Sequence, residues 1–118
     1  MANPDAEDLA LQCFAAVRKA PEAISKEAQA GFRLCEQALA VDPNNVHALA
    51  LLSIKYWQPV SHNLSANPNA DLKWGDELAS KVLALDPTFA YGHVFKSEIL
   101  RDQGRLGEAN AEAERHLI

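Results

Sequence analysis

The stretch GFRLCEQALAVDPNN, beginning at Gly31, is nearly rewritten as GDELASKVLALDPTF, beginning at Gly75, 44 residues later. Over the thirteen positions from each glycine to its proline, six coincide: Gly31/Gly75, Leu34/Leu78, Leu39/Leu83, Ala40/Ala84, Asp42/Asp86 and Pro43/Pro87. Repetition at such a spacing points to stacked supersecondary units that bury a common core. The shared Asp-Pro pair supplies a mechanism for ending each unit, because the residue before a proline is pushed out of the α region.

Composition agrees with a helical reading. The chain has 118 residues, enough for one domain with a modest core. Alanine and leucine dominate while Val, Ile and Thr are sparse, which favours helix over sheet. A net charge of −5 argues against nucleic acid as a partner, which requires a clustered basic surface. No apolar run reaches 18 residues, so no membrane partner is expected either. The opening MANPDAEDLA is polar and acidic, unlike a signal peptide, and a cytoplasmic location is the default expectation.

Helical punctuation predicts six helices. Residues 5–19 form the first, with Asp5 as N-cap, and Pro21 breaks the chain. Residues 23–41 recover a helical period through Ile24, Ala28, Phe32, Cys35 and Leu39, and Asp42-Pro43 ends it. Asn44 or Asn45 caps a third helix running through Val46, Leu49, Leu52, Ser53 and Tyr56 to Trp57. The Pro-, Ser- and Asn-rich QPVSHNLSANPNA, residues 58–70, reads as a long loop. Leu72, Gly75, Leu78, Ala79, Val82 and Leu83 define the fourth helix, stopped at Asp86-Pro87. Thr88 caps the fifth, Gly104 ends it, and Leu106, Ala109, Ala113 and Leu117 give a short sixth. The expected fold class is therefore all-α. Its three hairpins span about 5–42, 44–86 and 88–117 of a single 118-residue domain.

Chemistry is sparse. His47, His62, His93 and His116 lack metal-ligand spacing, and neither cysteine has a close Cys partner, so no metal is expected. Phosphate loops, nucleophile elbows and dinucleotide fingerprints are absent, and the carboxylates are scattered along helix surfaces. Neither a catalytic residue nor a cofactor is expected, and the chain reads as no enzyme. Cys13 and Cys35 lie among apolar residues and read first as reduced, buried packing residues. A disulfide between adjacent helices and a redox role remain the alternatives.

The helix-hairpin arrangement with its Leu-x-x-Asp-Pro stops resembles the tetratricopeptide repeat, a 34-residue pair of antiparallel helices. The spacing from Pro43 to Pro87 is ten longer, and the surplus falls in the loop around Pro59 to Pro68. In NNVHALALLSIKYW, Leu49, Leu52, Ser53 and Tyr56 match that family's large, large, small, aromatic series. In QGRLGEA, Gly104, Leu106 and Ala109 match its turn. The resemblance implies a short right-handed solenoid. Gly31 and Gly75 would then stand where two helices come nearest, at sites where the family favours alanine. Accordingly Gly31→Ala is expected to be neutral or stabilising. His93 and Lys96 replace expected apolar residues, implying loose packing of the last hairpin.

A narrower likeness is to repeat segments of bacterial signalling proteins, where they follow a class III nucleotide cyclase or winged-helix domain. By that resemblance the function is non-catalytic binding of a peptide or protein in a concave groove. The groove would be lined by Phe14, Val17 and Arg18, then His47, Ala50, Ile54 and Trp57, then Tyr91, Val94, Glu98 and Arg101, with Trp57 as anchor. Packing of Trp57 and Phe14 against the 58–70 loop or an end helix is the alternative. The family's carboxylate clamp is missing, since Ala10 and Phe14 stand at its sites, so chaperone tails are not expected. A second function class is self-association, a weak homodimer through the end formed by Leu106, Ala109, Ala113, Leu117 and Ile118 or through the first helix. A third is a regulatory segment detached from a larger signalling protein.

Overall fold

A computed structural model describes residues 3–117, with side chains described through residue 114. Six helices and no strand occur among these residues: α1 Pro4–Lys19, α2 Lys26–Val41, α3 Val46–Ser61, α4 Pro68–Leu85, α5 Ala90–Asp102 and α6 Leu106–Leu117. Main contacts pair α1 with α2, α3 with α4 and α5 with α6. Connections of a few residues between packed helices make neighbours antiparallel. Between pairs, α2 meets α3 and α4 meets α5, while the odd helices α1, α3 and α5 touch in succession.

Both Asp-Pro stops act as expected. Asp42 and Asp86 are C-caps with near-identical backbones, φ −139°, ψ 95° and φ −142°, ψ 90°. Each carboxylate then accepts a backbone N–H two residues on, from Asn44 at 3.1 Å and Thr88 at 3.2 Å. Asn45 is the cap of α3, accepting from the Ala48 N–H at 2.9 Å. The same 44-residue offset relates Ser53 to Ser97. Both are buried, and their hydroxyls donate to the carbonyls of Ala50 (2.6 Å) and Ala109 (2.9 Å). Small hydroxyl residues there let helices approach while leaving no polar atom unpaired.

Several boundaries differ from the sequence reading. Asn3, not Asp5, caps α1, accepting from the Asp5 and Ala6 N–H groups. Ser25 caps α2, so Ile24 lies outside the helix and is exposed. Thr88 does not cap α5: its hydroxyl donates to Asp86 at 2.8 Å, and Phe89 occupies the N-cap without a side-chain bond.

The largest correction is the loop. Helix α3 runs through Pro59 to Ser61, and α4 begins at Pro68, leaving only residues 62–67 between them. Pro59 forgoes one helical hydrogen bond but is buried near the end of α3, and Pro68 takes a first-turn position where its missing N–H costs nothing. Asn63, at φ 58°, closes α3 with bonds from its own N–H to Val60 O (3.1 Å) and from Leu64 N–H to Pro59 O (2.7 Å). Gly104, at φ 79°, closes α5 by the same pair of bonds, to Arg101 O (2.9 Å) and, from Arg105, to Leu100 O (2.8 Å). Both are left-handed caps of the Schellman type, one built on asparagine and one on glycine.

Cys13 and Cys35 form a disulfide that joins α1 to α2, correcting the reduced-thiol expectation. Their Cα atoms are 5.6 Å apart, inside the range a disulfide spans. Gly31 makes this approach achievable: a Cβ there would meet Ala16 Cβ at 2.9 Å, Val17 Cγ2 at 3.1 Å and Cys13 O at 3.3 Å. Cys35 lies one turn beyond Gly31 on the same helix face. Disulfides persist in oxidising compartments, a finding in tension with a cytoplasmic location.

The last hairpin is not loosely packed. His93 is buried, with Nδ1 2.8 Å from Glu112 Oε2 and Nε2 2.7 Å from the Pro87 carbonyl. Lys96 pairs with Asp76 and reaches Ser80 Oγ at 3.0 Å, tying α5 to α4. Polar residues thus replace apolar ones together with their partners. In α6, the hydrogen-bonded Arg105 guanidinium holds the exposed Glu108 carboxyl below its usual range.

Candidate partner-binding cleft

The odd helices leave a cleft of about 570 Å³ between them, a size typical of binding sites. From α1 it receives Glu7, Ala10, Leu11, Phe14, Val17 and Arg18. From α3 come His47, Ala50, Leu51, Ile54 and Gln58, and α5 contributes Tyr91 and Phe95. Ala20, Pro21, Ala23 and Ala28 close one wall near the α1–α2 connection.

Helical spacing explains the lining. Glu7, Leu11, Phe14 and Arg18 recur at three- and four-residue steps along α1, and His47, Ala50, Ile54 and Gln58 do so along α3. The floor is formed by small buried residues, Ala10 and Ala50. Large apolar groups stand open around it: Leu11 is 65% exposed, Phe14 42% and Tyr91 60%. Arg18 lies over the Phe14 ring at 5.8 Å. Tyr91 stacks on Phe95 at 5.9 Å and contacts Phe89 at 6.1 Å, so its ring is held in place while one side faces out.

Of the residues assigned to the groove from sequence, Phe14, Val17, Arg18, His47, Ala50, Ile54 and Tyr91 line this cleft. Trp57, Val94, Glu98 and Arg101 do not. Trp57 instead packs on the cluster of Leu72, Ala79 and Ile99 and against Phe95 at 5.2 Å. Its backbone and Cβ also lie beside Gly75. Its buried Nε1 has no acceptor among the described residues. Glu98 and Arg101 pair with each other at 2.7 Å, one turn apart on α5. Leu11, Leu51 and Phe95, missed in the sequence reading, complete the apolar wall. The helical period that places Phe14 on this face places Leu11 there too.

The cleft is anchored at one end by a polar bridge between α1 and α3. Asn45 Nδ2 donates to Glu7 Oε1 at 2.6 Å, and His47 Nδ1 lies 3.4 Å from Glu7 Oε2. The residues assigned to repeat packing are mostly interior: Gly31, Leu49, Leu52, Ser53, Gly75 and Ala109 are buried, Tyr56 half-buried, and Gly104 exposed in its turn. On the end surface assigned to dimerisation, Leu106 is exposed, Ala113 half-buried and Ala109 fully buried. The side chains of Leu117 and Ile118 lie outside the described residues.

Among the described residues, no group of three His, Cys, Asp or Glu side chains could hold a metal ion, and no helix is long and apolar enough to cross a membrane. No protein-family model matches the chain, and no curated protein matches it.

Proposed function

We propose that this chain is a non-catalytic interaction module that binds a peptide or protein segment in the cleft between α1, α3 and α5. One observation carries the reading: an open cleft of about 570 Å³ whose rim presents Leu11, Phe14 and Tyr91 to solvent around an alanine floor. Exposed apolar groups gathered around a concavity mark recognition surfaces. The tetratricopeptide resemblance supports the same use, since that family binds partners on the helices equivalent to α1, α3 and α5. The contact order, with odd helices touching in succession, suits that architecture. A regulatory role follows from the likeness to repeat segments of signalling proteins, whose chemistry resides in other domains.

Selection of a displayed random-peptide library on the immobilised protein tests the reading. Peptides enriched on the native chain are expected to lose binding to a Leu11→Glu/Tyr91→Glu variant, whose exposed side chains can change without disturbing the core. Enrichment that survives this variant would place recognition on another surface. Self-association is a second reading, favoured by exposed Leu106 at the end of the array. It predicts a mass in sedimentation that rises with concentration and falls with Leu106→Glu.

A further inference from the structure

The cleft does not end at its apolar walls. Beside its Glu7–His47 end lies a second recess of about 500 Å³, and Glu7 and His47 line both. This recess is lined by the acidic residues Glu7, Asp42 and Asp86 together with Phe89. Among the described residues no Lys or Arg lines it, the nearby Lys81 ammonium being held by the Pro43 carbonyl at 3.1 Å. The doubled Asp-Pro stop is what gathers the acids. Successive units put the C-terminal aspartates of α2 and α4 side by side, next to the start of α3. At the opposite end stands Arg18, eleven residues along α1 from Glu7, or about 16 Å.

We infer that the cleft selects a peptide segment by charge as well as by apolar fit. The segment carries large apolar side chains between a basic end, over Glu7, Asp42 and Asp86, and an acidic or neutral end at Arg18. This rests on the proposed cleft-binding function and specifies its partner. Five or so extended residues span the distance. Three carboxylates around one recess attract a guanidinium or ammonium and repel an acid, and complementarity of this kind sets register and excludes wrong partners. The Phe89 ring, 5.5 Å from the His47 ring, lines the same recess, and aromatic rings attract cations.

Fluorescence anisotropy with three labelled peptides tests the inference. They share one leucine- and phenylalanine-rich core and differ in carrying two arginines, two serines or two glutamates at one end. At low salt the arginine peptide is expected to bind about tenfold tighter than the glutamate peptide. That difference should shrink at high salt and largely vanish in an Asp42→Asn/Asp86→Asn variant. Asparagine keeps the Oδ1 acceptor that each cap uses, so the helix ends are retained. Equal affinities for all three peptides would overturn charge selection while leaving the apolar cleft in place. A preference that persists in the double variant or at high salt would overturn the role of this recess. Failure of every peptide to bind would count against the cleft itself.

Discussion

The Cα of Gly31 faces the Cβ of Ala16 across the α1–α2 contact so closely that an added Cβ would stand 2.9 Å from it. Ala16 Cβ is fixed to its backbone, so the helices themselves would have to part. At Gly75 the nearest atoms, on Trp57 and Tyr56, stand at 3.5 Å, an ordinary contact. The two glycines of the repeat therefore respond oppositely. Alanine gains about 1 kcal/mol of helix propensity over glycine at either site. Overpacking of about 1–3 kcal/mol outweighs this gain at Gly31 only. Gly31→Ala should lower the denaturation midpoint and Gly75→Ala should raise it. This reverses the neutral-to-stabilising expectation that the tetratricopeptide resemblance gave for Gly31. A Gly31→Ala protein as stable as the native chain would contradict the close approach.

The Cys13–Cys35 bond closes a loop between residues 22 apart in sequence. By chain entropy such a closure stabilises by about 3 kcal/mol. Thermal melts with and without a phosphine reductant should differ accordingly. Both sulfurs should resist alkylation in the native protein and in unreduced denaturant. Labelling of two thiols in denaturant without reductant would show that the bridge does not form.

Trp57 stabilises the fold, as its place against Leu72, Ala79, Ile99 and Phe95 requires. Trp57→Ala should cost about 3 kcal/mol of stability. Trp57→Phe should cost far less, because it removes a buried N–H without an acceptor among the described residues, worth about 1–3 kcal/mol. Urea denaturation of the two variants separates packing from recognition. Equal destabilisation by both would mean that the indole N–H is satisfied.

His93 joins the loop before α5 to α6 through the Pro87 carbonyl and Glu112. Replacing it by alanine removes two part-buried polar contacts between the elements, a loss of about 2 kcal/mol. Hydrogen exchange should quicken in α6 before it does in α1 or α2. Uniform exchange rates across the chain would show that His93 does not hold the last hairpin.

What the sequence made legible was local. Asp42 and Asp86 end their helices because the following proline enforces it, and Gly104 turns because glycine admits a positive φ. Pro59 misled because proline marks a loop and a late helical turn alike, and burial decides between them. Asn63 is the overlooked signal, a residue able to take glycine's left-handed role. Long-range pairings were hidden for a different reason. The bond between Cys13 and Cys35 depends on the register of α1 against α2, which Gly31 and Ala16 set. The partners of His93 and Lys96, Glu112 and Asp76, lie about twenty residues away on neighbouring helices. Along each odd helix the period that selected Phe14, Ile54 and Tyr91 pointed to the cleft. It misassigned Trp57, whose direction is set by packing with α4 and α5.

Amide chemical-shift mapping tests the central claim most directly. A selected peptide titrated into the isotope-labelled protein should perturb Leu11, Phe14, Ile54 and Tyr91 together, residues brought to one cleft from three helices. The exposed Trp74 on α4 and Leu64 in the α3–α4 connection should stay unmoved. Perturbations centred on Trp74 or Leu64, with Leu11, Phe14, Ile54 and Tyr91 silent, would contradict recognition in the cleft.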